Sequence, residues 1–202
     1  MASFYSYLPL LQQVEGGFQK ISSDRGNYNS LGQLVGTNYG ISARFYEGLL
    51  KRPPSENDMR AITKSQAQSV FKNWFWDLQK ASEINNQAMA NTIIDHQVNA
   101  GDGAKLAQKV LNDHFGYNMS EDNKIGAITL QALNKVDPAR FVYLFNEARA
   151  QHYRNIGNAD FEAGWLRRLK KFTVAYKKPI SKFAIVAVAT VGFAVYHNYL
   201  KN

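Results

Sequence analysis

Residues 4–18 read FYSYLPLLQQVEGGF. Phe4, Leu8, Leu11 and Val14 recur at intervals of four, three and three, the period of a helix with one apolar face. The spacing predicts a helix over 3–15. Glu15 closes it, directly ahead of two glycines. A carboxylate shielded by apolar neighbours has its charged form disfavoured, so it keeps its proton nearer neutral pH. That is the property a general acid needs. Glycines beside it allow tight backbone geometry and leave room for a bulky substrate. By spacing alone, Glu15 also reads as an ordinary surface glutamate at a helix end.

Downstream, residues 16–40 are rich in Gly, Asn and Ser, a turn-forming composition that predicts a small irregular or β-hairpin region at about 16–42. Asp24 stands in the polar SSDRGN loop, where a carboxylate stays ionised. Thr37, Asn38 and Tyr39 follow in GTNYGIS, a glycine-bracketed turn with three hydrogen-bonding side chains. Two carboxylates in unlike surroundings beside a polar turn suit glycoside hydrolysis. The shielded acid protonates the leaving oxygen. The solvated carboxylate, with a hydroxyl, places water or stabilises the transition state.

The remainder reads as helices. ISARFYEGLLKR is helical up to the PPSEND break. Thr63 offers an N-cap with Gln66 at the capping-box position, ahead of the helix SQAQSVFKNWFWDLQKA. NNQAMANTIIDHQVN, 85–99, reads as a mostly buried helix, and AGDG interrupts it. Further helices follow at AKLAQKVLNDHF, AITLQALNKV, from DPAR to about Asn155, and from DFEAGWLRRLKKF. The fold class is mainly α. The loops near 97–103 suggest a seam, giving regions 1–96, 97–172 and a tail 173–202.

Composition narrows the chemistry. The 202 residues are 45% hydrophobic and 13% aromatic, enough for a real core, and no cysteine is present. Disulfide scaffolds, thiol nucleophiles and zinc–thiolate sites are excluded. The four histidines, at 96, 114, 152 and 197, show no close ligand spacing, so the sequence gives no metal site and no cofactor. Acidic and basic residues balance over 1–162, and the net charge of +8 lies in residues 163–202. A neutral body without a readable basic groove argues against nucleic acid. No cationic segment followed by an apolar run opens the chain, so no signal peptide is expected.

These pieces together resemble the glycoside hydrolase family 108 muramidases, a lysozyme-type group that includes phage endolysins and secretion-activating muramidases. The similarity rests on EGGF at 15–18, DRG at 24–26, GTNYGIS at 36–42, the Trp-rich NWFWD at 73–77 and DHQVNAG at 95–101. The second half resembles the helical peptidoglycan-binding domain often joined to them, through NKIGAITLQAL, ARAQHYRNI and FEAGWLRRL. The resemblance covers about residues 8–172. It implies a lysozyme-like helical fold and cleavage of the β-1,4 bond between N-acetylmuramic acid and N-acetylglucosamine in peptidoglycan glycan strands. Glu15 is then the general acid, Asp24 the second carboxylate and Thr37 the residue that positions water, an arrangement also similar to that of phage lysozymes. Inversion follows if the two carboxyl groups stand ~6.5–9.5 Å apart. Asn38, Tyr39, Asn99, Trp74 and Trp76 are candidate substrate contacts. Trp165 reads as a core anchor, and Asp95 as bonding backbone groups within a helix pair.

The chain departs from the family pattern in two places. Thr37 lies thirteen residues after Asp24 where the family has five, with NYNSLGQLV inserted. Asn123 stands at a usual glycine. A second reading keeps the fold without catalysis, as a wall-binding or secretion-accessory module; the intact EGG and GTNYG favour the enzyme.

The tail carries the apolar run FAIVAVATVGFAVY, 183–196, which extends to 200 if His197 and Asn198 are tolerated. It is short of the ~20 residues of a spanning helix, and reads either as a marginal membrane segment or as a buried or interfacial helix. Basic residues crowd its N-terminal side, which in a spanning segment keeps the preceding body in the cytoplasm. Access to the wall or periplasm then calls for a holin or an export machinery.

Overall fold

A computed structural model describes residues 1–14, 16–157 and 159–173. It is mainly α, with nine α-helices and one two-stranded antiparallel sheet among the described residues. Glu15 and the whole apolar run of the tail lie outside the described residues. Among the described residues, no helix is long and apolar enough to cross a membrane.

Helix α1, Phe4–Val14, lays Phe4, Tyr7 and Leu11 into the core. The chain ahead of it is tied down: the Ala2 amide donates to the Ile84 carbonyl at 2.7 Å and the Ser3 amide to Gln87 Oε1 at 2.7 Å. Strands β1, Thr37–Asn38, and β2, Ile41–Ser42, pair antiparallel, the hairpin alternative for this region. Their two turn residues, Tyr39 and Gly40, sit at φ 46° and 76°. Two successive positive φ values are what a tight hairpin turn of the I′ kind requires.

Helices α2, Ala43–Leu50, α3, Glu56–Ala61, and α4, Lys64–Phe71, follow with side-chain caps from Ser42, Ser55 and Thr63. The Thr63–Gln66 capping box is formed in both directions. Where the sequence predicts one helix through 81, α4 ends at Phe71 and residues Lys72–Asp77 widen into a π-helical turn. This crowded KNWFWD stretch directs Trp76 wholly inside, stacked on Tyr7 at 5.6 Å, while Trp74 stays half exposed.

Helix α5, Gln87–Ala100, is the central rod, with every residue from Met89 to His96 buried. It packs against α1, α6 (Gly103–Phe115) and α8 (Pro138–Ile156). Helix α7, Ala127–Lys135, rests on α6, and α9, Ala159–Lys170, on α8. One apolar cluster runs from Phe4, Tyr7 and Trp76 through Ile93 and Ile94 to Leu111, Phe141 and Phe145. The core therefore continues across the expected seam, with α5 shared by both sides. Trp165 stacks on Tyr153 at 5.3 Å beside it.

Asp95 corrects an expectation. Among the described residues its carboxylate takes no backbone groups; it holds Arg149 of α8 and Arg168 of α9. A buried carboxylate needs charged donors, and two guanidiniums supply them.

Asn123 explains its own departure from the family glycine. It adopts φ 63°, the left-handed region where Gly is usual and Asn is tolerated. Its Oδ1 accepts from the Lys105 amide at 3.0 Å and its Nδ2 donates to the Gly101 carbonyl at 2.8 Å. One side chain thus joins the end of α5 to the start of α6, which glycine could not do.

Candidate active site

The EGGF motif and the GTNYG turn are built as one unit. Gln19 and Thr37 exchange backbone hydrogen bonds of 2.8 and 2.9 Å. Gly36, at φ 96°, passes so close to this bridge that an added Cβ would lie 2.6 Å from the Gln19 carbonyl oxygen and 2.7 Å from the Phe18 ring. The Arg60 guanidinium covers the Phe18 ring at 3.8 Å. Lys20 pairs with Glu56 at 2.6 Å, and Glu56 also holds Arg60. Lys20 first, then Arg60, hold the Glu56 carboxyl below its ordinary range. The aromatic residue of the first motif and the leading glycine of the second are thus two halves of one contact.

A hollow of about 300 Å³ opens beside this unit. Leu8, Leu11 and Gln12 of α1 form one wall, and Lys64, Ala67, Gln68 and Phe71 of α4 form another. Gly16, Gly17 and Tyr39 complete the rim. Cβ atoms added at Gly16 or Gly17 would meet nothing within 4 Å, so these glycines leave space and are not forced by a left-handed backbone. Such a hollow, mostly apolar with a few polar groups, is the usual form of a small-ligand site. A second hollow of about 250 Å³ involves Gly40, Ser42, Phe45, Phe75 and Gln97. Phe71 borders both, and the two turn residues Tyr39 and Gly40 border one each.

The expected site residues fall into three groups. Glu15 lies outside the described residues, although Gly16, which follows it, lines the larger hollow. Thr37 and Tyr39 belong to the site's hairpin. Thr37 is buried and its hydroxyl has no hydrogen-bond partner among the described residues. Asp24 caps the short 3-10 turn Arg25–Asn27, with Oδ1 accepting from the Gly26 amide at 2.8 Å.

Of the other four expected contacts, three are engaged elsewhere. Trp76 is fully buried and donates from Nε1 to Ser82 Oγ at 2.8 Å, so it is a core residue and no platform for sugar stacking. Asn38 is also buried; its Nδ2 donates to the carbonyls of Met59 at 3.0 Å and Ile62 at 3.3 Å, which fastens the hairpin to the end of α3. Asn99 donates to the Tyr153 hydroxyl at 3.1 Å. Trp74 keeps an exposed ring, set edge-on to Phe45. The polar lining residues that sequence reasoning missed are Gln12, Lys64 and Gln68. The signal available for the last two was their i, i+4 spacing on α4, one face of a capped helix.

Comparison with known proteins agrees with this architecture. Residues 8–101 match the family model described as glycosyl hydrolase 108. Residues 102–170 match the one described as "Predicted Peptidoglycan domain". No curated protein sequence matches the chain. Among solved structures, the fold is similar to that of Brucella abortus SagA, with a TM-score of 0.71 and 24% identity over 84% of this chain and 90% of that one. The EGGF–GTNYG unit thus lies in a segment that matches the glycosyl hydrolase 108 family, with a helical peptidoglycan-type segment after it.

Proposed function

We propose that the protein is a peptidoglycan hydrolase of the muramidase kind, cutting the β-1,4 bond between N-acetylmuramic acid and N-acetylglucosamine. The observation that carries this reading is the hollow at Gly16 and Gly17, immediately after the one carboxylate of the EGGF motif, in a segment that matches a glycoside hydrolase family. In the reaction, Glu15 protonates the departing glycosidic oxygen. Thr37 holds the attacking water: a buried hydroxyl without a partner among the described residues has hydrogen-bonding capacity to offer one. Asp24 supplies the second carboxylate, which orients that water or stabilises positive charge on the sugar ring. Lys64 on the rim faces the anionic groups of a wall polymer, and Tyr39 gives a ring edge against the sugar.

The second matched segment supports peptidoglycan itself as the partner. The protein then acts on the cell wall or periplasm, with a holin or an export route giving access and the tail available for membrane contact.

Hydrolysis of purified peptidoglycan by wild type and Glu15→Gln, with reducing ends and products identified by mass, tests the reading. Gln keeps the shape but cannot donate a carboxylic proton. Muramic acid reducing ends from wild type, and a loss of orders of magnitude in a folded variant, is the expected result. If both proteins bind the wall and neither cuts it, the non-catalytic reading takes its place. Equal cutting by both removes Glu15 from the mechanism.

A further inference from the structure

His96 and Asp102 lie near each other in sequence and His152 far from both, and the three come together where α5, α6 and α8 meet. One ligand atom from each lies within 4.8 Å of the others. Nε2 of His96 stands 3.1 Å from Oδ1 of Asp102, and beyond this pair neither buried atom has a partner among the described residues. His96 has no exposed surface. A buried imidazole nitrogen and a carboxylate oxygen that share no other partner keep lone pairs to offer a third group.

Asp102 makes the same point independently. It is the N-cap residue of α6, and Asp is among the strongest N-cap acceptors, but its side chain caps nothing. The Ala104 amide donates instead to Gln97 Oε1 at 3.1 Å. The Asp102 carboxylate is turned away from a helix end that would have rewarded it, toward an imidazole.

We propose that His96, Asp102 and His152 form a divalent metal site of the zinc type, which fastens α8 to the corner between α5 and α6. The separation fits two ligands of one ion. With bonds of ~2.0–2.1 Å, adjacent ligand atoms stand ~3.3 Å apart around a tetrahedral ion and ~2.9 Å around an octahedral one. Two imidazoles and one carboxylate are a borderline donor set that suits Zn²⁺ over the hard ions Ca²⁺ and Mg²⁺. Asp102 and His152 are only partly covered, so an ion and a fourth ligand from water can enter from their side. Behind the ring, the Tyr153 hydroxyl faces His96 Nδ1 at 3.4 Å and is itself held by Asn99 and Arg149. Ligating histidines commonly carry such a second partner, which fixes the ring.

The test uses the full chain, stripped with chelator and titrated with ZnCl₂ by calorimetry and thermal unfolding. His152→Gln and Asp102→Asn serve as comparison variants, both of partly covered residues. The expected result is one ion bound per chain and a rise in Tm of several degrees. Each variant weakens binding by more than about tenfold, at least what loss of an outer partner costs. The metal-free variants unfold near the metal-free wild type. Absence of stoichiometric binding to wild type overturns the proposal. So does equal binding by wild type and both variants, which assigns the ion to His114 or His197.

Discussion

Arg149 and Asp95, 54 positions apart and without exposed surface, meet at 2.5 Å, and Arg168 closes on the other Asp95 oxygen at 2.8 Å. Arg149 also donates to Thr92 Oγ1 at 2.9 Å, and that hydroxyl donates to Asn146 Oδ1 at 2.7 Å. Three helices thereby share one carboxylate. Removing one member of a buried ion pair strands the other in a poor solvent, at about 3–5 kcal/mol. Asp95→Asn is expected to lose that much in urea unfolding. A loss under 1 kcal/mol means that water already reaches the network.

Asn123 gives a finer contrast. Asn123→Gly keeps a residue at ease with φ 63° but deletes the bonds to Lys105 and Gly101. Asn123→Ala loses the same bonds and adds the strain of a left-handed Cβ, roughly 1 kcal/mol more. The alanine variant should unfold at lower urea than the glycine variant, and both below wild type. The reverse order would show that unfolded-chain entropy outweighs the strain.

The glycines of the two motifs predict opposite outcomes. Gly36→Ala collides with the Gln19 carbonyl and Phe18, at positive φ, so stability falls and activity falls with it. Gly16→Ala meets nothing and should fold as wild type does. Its methyl intrudes on the larger hollow, so turnover of peptidoglycan falls while Tm holds. Equal Tm losses in both would mean that Gly16 is a structural residue.

Much of the fold was legible from apolar spacing, capping residues and turn composition. The Thr63–Gln66 box and the buried 85–99 helix are plain in the residues, and the turn composition leaves the hairpin as one of two alternatives. Trp76 and Asn38 were misread for a physical reason: a residue's type shows what it can bind, but not which groups already occupy it. The π turn that swings Trp76 inward sets it against Phe4 and Tyr7 of α1, distant in sequence. The approach of His96 to His152 depends on how α5 crosses α8. Neither contact leaves a local trace in the chain. Glu15 stands on the family motif and on the hollow beside Gly16.

Ser55 and Asp58 form a reciprocal cap at the start of α3, reinforced by Arg52 at 2.8 Å. Arg52 first, then the Ser55 amide and hydroxyl, hold the Asp58 carboxyl well below its usual range. A depressed folded value means that the folded state favours the ionised form, so the contribution is complete above the unfolded value near ~4 and is lost as pH falls below it. In urea, wild type should exceed Asp58→Asn at pH 7, and the gap should narrow below pH ~4. A gap constant down to pH 3 would deny the carboxylate its part. Ser55→Ala should cost about 1 kcal/mol at neutral pH.

The six-residue turn Lys72–Asp77 has an optical consequence. Within three positions it sets one indole in full contact with the core, hydrogen-bonded to Ser82, and leaves its neighbour half in water. The emission of Trp76 therefore lies to the blue and is shielded from quenchers, while that of Trp74 lies to the red and is open to them. Trp74 stands against Phe45, which borders the second hollow. With Trp165 replaced by Phe, the remaining two indoles become a pair of dyes, one reporting whether the aromatic core is intact and the other what arrives at the surface.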